Sequence, residues 1–336
     1  MGIGDVRPSL PSTKTMRLNL ISSAAVSQSI AEGTELFNGV QHDLSLLPPS
    51  LATQIPTVVP AVGTTHYGLW KDLIVRLRNN ISANDIHVIV LTPRYAKMLL
   101  DASNVAMLTG RISESHKDDL MDPSPFDHLF PDPTKTVPPP RYFARYDALS
   151  PKDSPLRAPL TSAQAVIEQL ATSQRSRDAI SDALEDNSPV RLYFTPWDDT
   201  MDTRREYRVF CAPTSAYHPR PNRVTAVSQY SWHKPSLLAD LPPARIEADM
   251  VHLLEGIARI HAEIMIYSVE NGMNERLNED GFVFDVYLHT GTHEVQLLEL
   301  NPFGVRGNCG GCLFNWVTDA ETLYGGKEDI EVRLSI

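Results

Sequence analysis

The chain has 336 residues, of which 42% are hydrophobic and 21% charged, a balance typical of a globular protein with one large unit or two smaller ones. Thirty basic against 41 acidic residues give a net charge of −11, which argues against a nucleic-acid partner because such proteins usually carry a basic excess. Three cysteines argue against a disulfide framework, and the sequence shows neither a secretory signal nor an apolar run of about 18 residues, so we expect a cytoplasmic protein with no membrane association.

Residues 1–63 are predicted to form an N-terminal extension that is partly irregular. They mix serine, threonine and proline with short apolar runs that show no repeated period. The stretch Ile21–Leu36 predicts a short helix, whereas LLPPSLATQIPTVVPAV is punctuated by proline and predicts coil.

The next segment alternates predicted helices and strands. Trp70–Arg78 has the spacing of an amphipathic helix, Asp85–Leu91 predicts a buried strand, and Thr92 followed by Pro93 predicts the start of a further helix. Residues 113–140 then contain seven prolines and five aspartates, which predicts an exposed insertion. We interpret it as a solvated loop, with a partner-docking or lid segment as the alternative.

The remainder of the chain predicts a mixed α+β fold, because helical stretches are interleaved with strands and a hairpin. The longest predicted helix, Ile246–Ile266, places its apolar residues on one face. A helical stretch is also predicted at Ser162–Leu184. The predicted strands are Tyr142–Tyr146, Val190–Phe194, Glu206–Cys211, Val224–Ser228, Phe282–Tyr287 and Glu294–Leu300, the last two forming the hairpin.

Polar side chains interrupt the two apolar strands of this hairpin. Asp285 lies in FVFDVY, while Glu299 and Asn301 lie two residues apart in LLELNPFG and so project from the same face of their strand. Two carboxylates and an amide oxygen form a set of hard donors suited to Mg²⁺. The alternative from the residues alone is a carboxylate that merely faces solvent.

Several motifs, in a specific order, resemble the cell division cycle protein 123 family over about residues 65–320. They are DIHVIVLTPRYAKMLLD, FARYDALSPKDS, VRLYFTPW, EYRVF, AVSQY, FVFDVY and LLELNPFG. The resemblance implies an ATP-grasp fold, in which two lobes enclose a cleft for Mg-ATP. The lobes would span residues 64–192, including the insertion, and residues 193–325 with the metal site, followed by a tail at 326–336.

The resemblance also implies roles for individual residues. Asp285, Glu299 and Asn301 become the metal site; Glu299 stands where the family usually has aspartate, and Glu-x-Asn is the pattern of catalytic ATP-grasp ligases. Arg145 replaces the family's phosphate-contacting lysine, with Lys152 nearby. The implied nucleotide contacts also include the Glu206–Arg208 pair, for which an exposed ion pair is the alternative, and the main chain of Tyr193, Phe194, Thr195 and Pro196 at adenine.

A glycine-rich segment follows the metal motif. Gly304, Gly307, Gly310 and Gly311 permit close approach of the main chain to an anion or substrate, and Arg306 has the forked donors that bind phosphate or carboxylate. Cys309 and Cys312 form C-G-G-C. We interpret them as ordinary thiols, with a zinc site or a redox disulfide as alternatives.

The first functional expectation is an Mg-ATP-dependent ligase that activates a carboxylate as an acyl phosphate and forms an amide or peptide bond with an amine. Arg145, Arg208 and Arg306 would stabilise the transferring phosphate. Its cofactors are ATP and Mg²⁺, and its partners a small carboxylate and an amine. One alternative is an ATP-binding assembly chaperone for translation initiation factor 2, acting on its gamma subunit. Another is a repurposed aminoacyl or peptide transferase of specialised metabolism.

Overall fold

Two sheets organise the part of the chain that the computed structural model describes. That part comprises residues 16–34, 36–39, 43–52, 62–78, 80–122, 124–131, 139–215, 217–289, 292–307 and 309–336. Its strands are β1 (Met16–Ile21), β2 (His87–Val90), β3 (Tyr142–Tyr146), β4 (Arg191–Pro196), β5 (Glu206–Ala212), β6 (Arg223–Gln229), β7 (Phe282–Leu288), β8 (Val295–Pro302) and β9 (Ile330–Ser335).

The helices complete the mixed α+β architecture predicted from the sequence. They are α1 (Ser23–Glu32), α2 (Pro49–Ala52), α3 (Tyr67–Arg76), α4 (Pro93–Thr109), α5 (Glu114–Met121), α6 (Ala163–Ala171), α7 (Gln174–Glu185), α8 (Pro243–Glu270), α9 (Asn274–Asp280) and α10 (Ala320–Leu323). No described helix combines the length and the apolar character that crossing a membrane requires.

Contacts within the chain divide it into two compact units. The contiguous unit comprises residues 65–200, and the split unit comprises residues 1–64 together with 201–336. The predicted boundary between lobes, at 192/193, falls inside β4. Because β4 pairs with both β2 and β3, the division lies after the strand and not within it.

The contiguous unit contains an antiparallel sheet in the order β2-β4-β3, with α4, α5, α6 and α7 packed together around one core. The sequence signals at the start of α4 are confirmed: Thr92 Oγ1 accepts a hydrogen bond from the main-chain N–H of Tyr95 at 3.2 Å, and Pro93 occupies the first turn. The predicted helical stretch around 162–184 is two helices, because Ser173 begins α7 as a new N-cap.

The insertion predicted at 113–140 is exposed at only part of its described residues. Part of it forms α5, and Leu120, Phe126 and Leu129 are buried in the core of the contiguous unit. Phe126 contacts the ring of Phe194 at 5.8 Å between centroids. Three spaced apolar residues are sufficient to anchor a segment that is otherwise acidic and rich in proline. Residues 123 and 132–138 lie outside the described part.

The split unit is built on a six-stranded sheet in the order β1-β9-β6-β5-β7-β8. β9 pairs in parallel with β1 and β6, and the other neighbours are antiparallel. The predicted apolar face of the long helix is confirmed, since Ile246, Met250 and Leu253 are buried on α8. Gly256 allows α8 to approach β8 closely, because a Cβ there would lie 2.2 Å from Cγ2 of Val295.

Both ends of the described chain differ from the expectation of an irregular extension and a tail. The short helix expected within 21–36 is confirmed as α1, but Met16–Ile21 was not predicted and forms an edge strand of the sheet. The predicted tail at 326–336 contains β9, which lies between β1 and β6 with Val332 and Leu334 fully buried. Residues 1–15, 35, 40–42 and 53–61 of the predicted extension lie outside the described part.

Candidate metal centre

Three adjacent strands of the split unit align the predicted metal-binding residues. In the register of the sheet, Arg208 on β5 lies opposite Asp285 on β7, which in turn lies opposite Glu299 on β8. Asn301 follows two residues after Glu299 and donates a hydrogen bond from Nδ2 to Oδ2 of Asp285 at 3.1 Å. The structure thus brings together Asp285, Glu299 and Asn301, and places Arg208 beside them.

Arg208 is a buried cation that is fixed in place by three hydrogen bonds. Its Nε donates to Oδ1 of Asp285 at 2.9 Å and its Nη2 donates to Oδ2 at 2.8 Å, a bidentate pair. Its Nη1 donates to the carbonyl of Gly310 at 2.6 Å. The alternative of an exposed ion pair with Glu206 is therefore wrong. Glu206 is half-buried at the start of β5, where its carbonyl accepts a hydrogen bond from the N–H of Tyr230.

The charges of this cluster favour a bound cation. Burial raises the pKa of the Asp285 carboxyl, the charge and hydrogen bonds of Arg208 oppose that rise, and the charge of Glu299 and a hydrogen bond with it raise the pKa further. The two carboxyl groups therefore lie close together, with the Arg208 guanidinium paired to Asp285. A divalent cation would stabilise both as anions, and the Oδ1 atom of Asn301 adds a third oxygen of the kind that Mg²⁺ prefers.

Whether the cluster can bind Mg²⁺ depends on the side-chain amide of Asn301. Among the described residues, no group of three or more histidine, cysteine, aspartate or glutamate side chains is placed to bind a metal ion. A metal at Asp285 and Glu299 would therefore rely on Asn301 and on oxygens that do not come from the protein, as magnesium sites with a phosphate ligand commonly do.

In the contiguous unit, the predicted phosphate-binding residue Arg145 is buried and stacks on a tyrosine. Its guanidinium carbon lies 4.4 Å from the centre of the Tyr67 ring, and its Nε donates to the carbonyl of Tyr146. Tyr193 contacts the same Tyr67 ring and donates from its hydroxyl to Oδ1 of Asp147 at 2.9 Å. Tyr67 and Asp147 were not singled out from the sequence, although Asp147 lies within the quoted motif FARYDALSPKDS. Lys152 is exposed.

The predicted main-chain contacts with adenine are not supported at two positions. β4 is the central strand of its sheet, and at Tyr193 and Phe194 it pairs with β2 on one side and with β3 on the other. Their main-chain groups therefore already have partners within the sheet. Thr195 pairs with Phe143 on β3 and lies beyond the end of β2. The sequence did not reveal that this strand is central.

The glycine-rich segment after β8 adopts a tight path beside the metal centre. A Cβ at Gly307 or Gly311 would lie 2.9 Å and 2.3 Å from main-chain oxygens of Pro302 and Phe314, so a larger residue at either position would force the main chain to move. Arg306 is half-buried, and its Nε has no hydrogen-bond partner among the described residues. Asn308 lies outside the described part.

The two cysteines of this segment are buried and are not joined in a disulfide. Burial raises the pKa of the Cys309 thiol to about 12, which outweighs the opposing effect of the Arg208 charge. Cys312 donates its main-chain N–H to Oδ1 of Asn38 at 3.0 Å. Both side chains lie in a packed interior.

Comparison with known proteins gives a match in structure alone. No protein-family model and no curated protein matches the sequence. Cdc123 from Schizosaccharomyces pombe superposes with a TM-score of 0.52 and 17% identity, over 82% of this chain and 96% of that chain. A C-terminally truncated Cdc123 from the same organism gives the same values. The chain therefore has the fold of Cdc123, as the order of its motifs predicted.

Proposed function

We propose that the protein binds Mg-ATP in the manner of ATP-grasp proteins, with the metal centre on β7 and β8. The observation that supports this most is the cluster of the buried Asp285 with the half-buried Glu299 and Asn301, beside Arg208. Two adjacent carboxylates, one of them buried, are costly unless a cation or a proton neutralises them. The sequence resemblance to the cell division cycle protein 123 family and the shared fold agree with this proposal.

The residues of the cluster have distinct tasks in this proposal. Glu299 and Asn301 supply oxygens to the metal, and Asp285 both supplies an oxygen and fixes the orientation of Arg208. Arg208 in turn presents a guanidinium that cannot lose its proton to the phosphates. Bound Mg²⁺ neutralises charge on the triphosphate. The fixed partners of Arg208 mean that little reorganisation is needed when an anion arrives.

Calorimetric titration of ATP, with and without Mg²⁺, tests the site directly. Wild-type protein is expected to bind ATP in a magnesium-dependent manner, and Glu299→Gln to bind at least about tenfold more weakly because a charged ligand is lost. The exposed Glu279 of α9 offers a matched control, since Glu279→Gln changes the same charge in the same unit. Equal affinity in the wild type and Glu299→Gln would remove the metal assignment.

We further propose that the bound nucleotide serves a carboxylate–amine ligase. The γ-phosphoryl group passes from ATP to the substrate carboxylate and releases ADP; the amine then attacks the acyl carbon and releases phosphate. Glu299 favours this activity because it restores the Glu-x-Asn pattern of catalytic ATP-grasp ligases. Release of ADP and phosphate that requires both a carboxylate and an amine supports the proposal, and release that ignores the amine contradicts it.

The second candidate function is that of an assembly chaperone, which the structural likeness to Cdc123 favours. On this proposal the protein binds the gamma subunit of translation initiation factor 2, and nucleotide is bound without being consumed. Co-purification with the isolated gamma subunit, in the presence of Mg-ATP and without ADP release, distinguishes it from the ligase. Absence of binding by wild type and Glu299→Gln alike excludes this candidate.

A further inference from the structure

A cavity in the split unit is not used by the proposed nucleotide site. Its volume is about 410 Å³, within the range of pockets that bind small molecules. The start of β5, the end of β7, the segment that precedes α8 and the first turns of α8 form its walls. We call it the leucine–arginine cavity after the residues that dominate its lining.

The leucine–arginine cavity opens on the opposite face of the sheet from the metal centre. Side chains alternate along a strand, so Tyr207, which lines the cavity, points away from its neighbour Arg208. Leu288 lines the cavity from β7 and lies an odd number of residues from Asp285, which places it on the other face as well. A ligand in this cavity would therefore be separated from Asp285 by the sheet itself.

The walls of the cavity are mostly aliphatic. Leu237 and Leu241 come from the segment before α8, and each is only partly covered, with 36% and 37% of its surface exposed. Leu288 forms the opposite wall and is buried. An aliphatic chain placed between them would remove apolar surface from water on both sides.

Of the three arginines that line the cavity, Arg205 alone is not held in an ion pair among the described residues. Arg204 is paired with Asp202, its Nη2 lying 2.7 Å from Oδ2, and Arg245 is paired with Asp249, its Nε lying 3.2 Å from Oδ1. Arg205 has no carboxylate within ion-pair distance among the described residues, and its Nε is buried without a hydrogen-bond partner there. A buried donor in this condition is costly unless a ligand satisfies it.

The side chains of His252 and Asp249, which also line the cavity, already have partners within the protein. His252 is engaged through Nε2 with the carbonyl of His293 at 2.8 Å. Asp249 also lines the cavity, but its carboxylate faces Arg245. The N-terminus of α8, which begins at Pro243, adds the positive end of a long helix to this side of the unit.

We propose that the leucine–arginine cavity binds a small monocarboxylic acid with an aliphatic body, whose carboxylate pairs with Arg205 and whose chain packs against Leu237, Leu241 and Leu288. A carboxylate accepts two parallel hydrogen bonds from a guanidinium, which fixes its orientation as well as its charge. This site is independent of the proposed nucleotide site, and its existence does not rest on Mg-ATP binding.

Calorimetric titration of the full-length protein with sodium octanoate tests the site, with octan-1-ol as the uncharged probe. Wild-type protein is expected to bind octanoate saturably with one molecule per chain, and octanol at least about tenfold more weakly because it cannot form the charged pair. Arg205→Gln is expected to weaken octanoate binding by a similar factor and to leave octanol binding unchanged. Arg94→Gln, at an exposed position of the contiguous unit, is the matched control.

A second variant tests the apolar part without touching the charge. Leu241→Trp adds a large ring at the partly exposed edge of the cavity and is expected to abolish binding of both probes. Circular dichroism and the urea midpoint of each variant establish that it is folded. Non-saturable octanoate binding, equal affinity for octanoate and octanol, or full octanoate affinity in a folded Arg205→Gln protein would each overturn the proposal.

Discussion

At the scale of single residues, the sequence singled out most of the polar groups of the candidate metal centre but not how they are connected. Asp285, Glu299 and Asn301 stood out because polar residues interrupt apolar strands, and the hairpin placed them together. The pairing of Arg208 with Asp285 was not predictable, because it joins strands whose residues are 77 positions apart. Such a register follows from the packing of the whole sheet and not from any local pattern.

The bidentate pair predicts a large effect of a conservative change. Asp285→Asn preserves the size of the side chain but leaves the buried Arg208 without its bidentate carboxylate partner, so we expect a loss of about 3 kcal/mol or more in the free energy of unfolding. Urea denaturation followed by fluorescence measures it, with the exposed Asp240→Asn as control. A loss below about 1 kcal/mol would show that Arg208 finds another partner at no cost.

Cys309 offers a chemical test of the buried glycine-rich segment. Because burial raises its pKa to about 12, the thiol is protonated at pH 8, and we expect it to react with iodoacetamide at least about a hundredfold more slowly in the folded protein than in urea. Mass spectrometry of timed samples follows each cysteine separately. Rapid modification of folded protein at Cys309 would contradict the burial described for this segment.

At the scale of secondary-structure elements, long periodic segments were predictable, whereas the strands β1 and β9 were not. The spacing of apolar residues on α8 specifies both the helix and its buried face. β1 and β9 are each six residues long, and they pair with each other across more than 300 residues, while β9 also pairs with β6. Nothing local distinguishes such segments from an irregular terminus.

Glu331 on β9 predicts a stability that depends on pH. Burial alone would raise the pKa of this carboxyl, but hydrogen bonds from Arg333 and Asn19 and the charge of Arg333 lower it from its ordinary value near 4.5. The charge therefore stabilises the folded state fully above that value, and its contribution is lost as the pH falls through the lower folded pKa.

We accordingly expect Glu331→Gln to reduce the free energy of unfolding by about 1–2 kcal/mol at pH 7, and to differ little from the wild type near pH 3. Urea denaturation at the two pH values measures both differences. Glu328→Gln, at an exposed position on the same segment, controls for the loss of a surface charge. If the difference in the free energy of unfolding between the wild type and Glu331→Gln is the same at pH 7 and pH 3, the charge of Glu331 does not stabilise the fold.

At the scale of the whole molecule, the sequence predicted two lobes. It did not predict that one unit would be formed by two segments that flank the other unit in the chain. The segment expected to be an extension belongs to the same unit as the C-terminal half, and the contiguous unit is inserted between them. Motif order places domains in sequence, whereas β1 and β9, which extend the sheet beyond β6, lie in segments that the motifs did not cover. The division became visible only when strand partners were known.

The two units predict different behaviour as fragments. Residues 65–200 contain their own core and both neighbours of β4, so we expect this fragment to unfold cooperatively in urea. The fragment 201–336 lacks β1 and leaves one edge of β9 uncovered, so we expect a broad transition or aggregation. Circular dichroism of both fragments at equal concentration compares them, and a non-cooperative 65–200 fragment would contradict the division.

The pairing of β1 with β9 joins distant parts of the polypeptide through hydrogen bonds between their strands. A single proteolytic nick after the exposed Thr200 would separate the backbone into two pieces, yet Met16–Ile21 on one piece would remain hydrogen-bonded to Ile330–Ser335 on the other. The nicked protein would elute as one species in gel filtration and would fall apart only in denaturant. Cleavage of the chain at this point would therefore not by itself separate the two pieces.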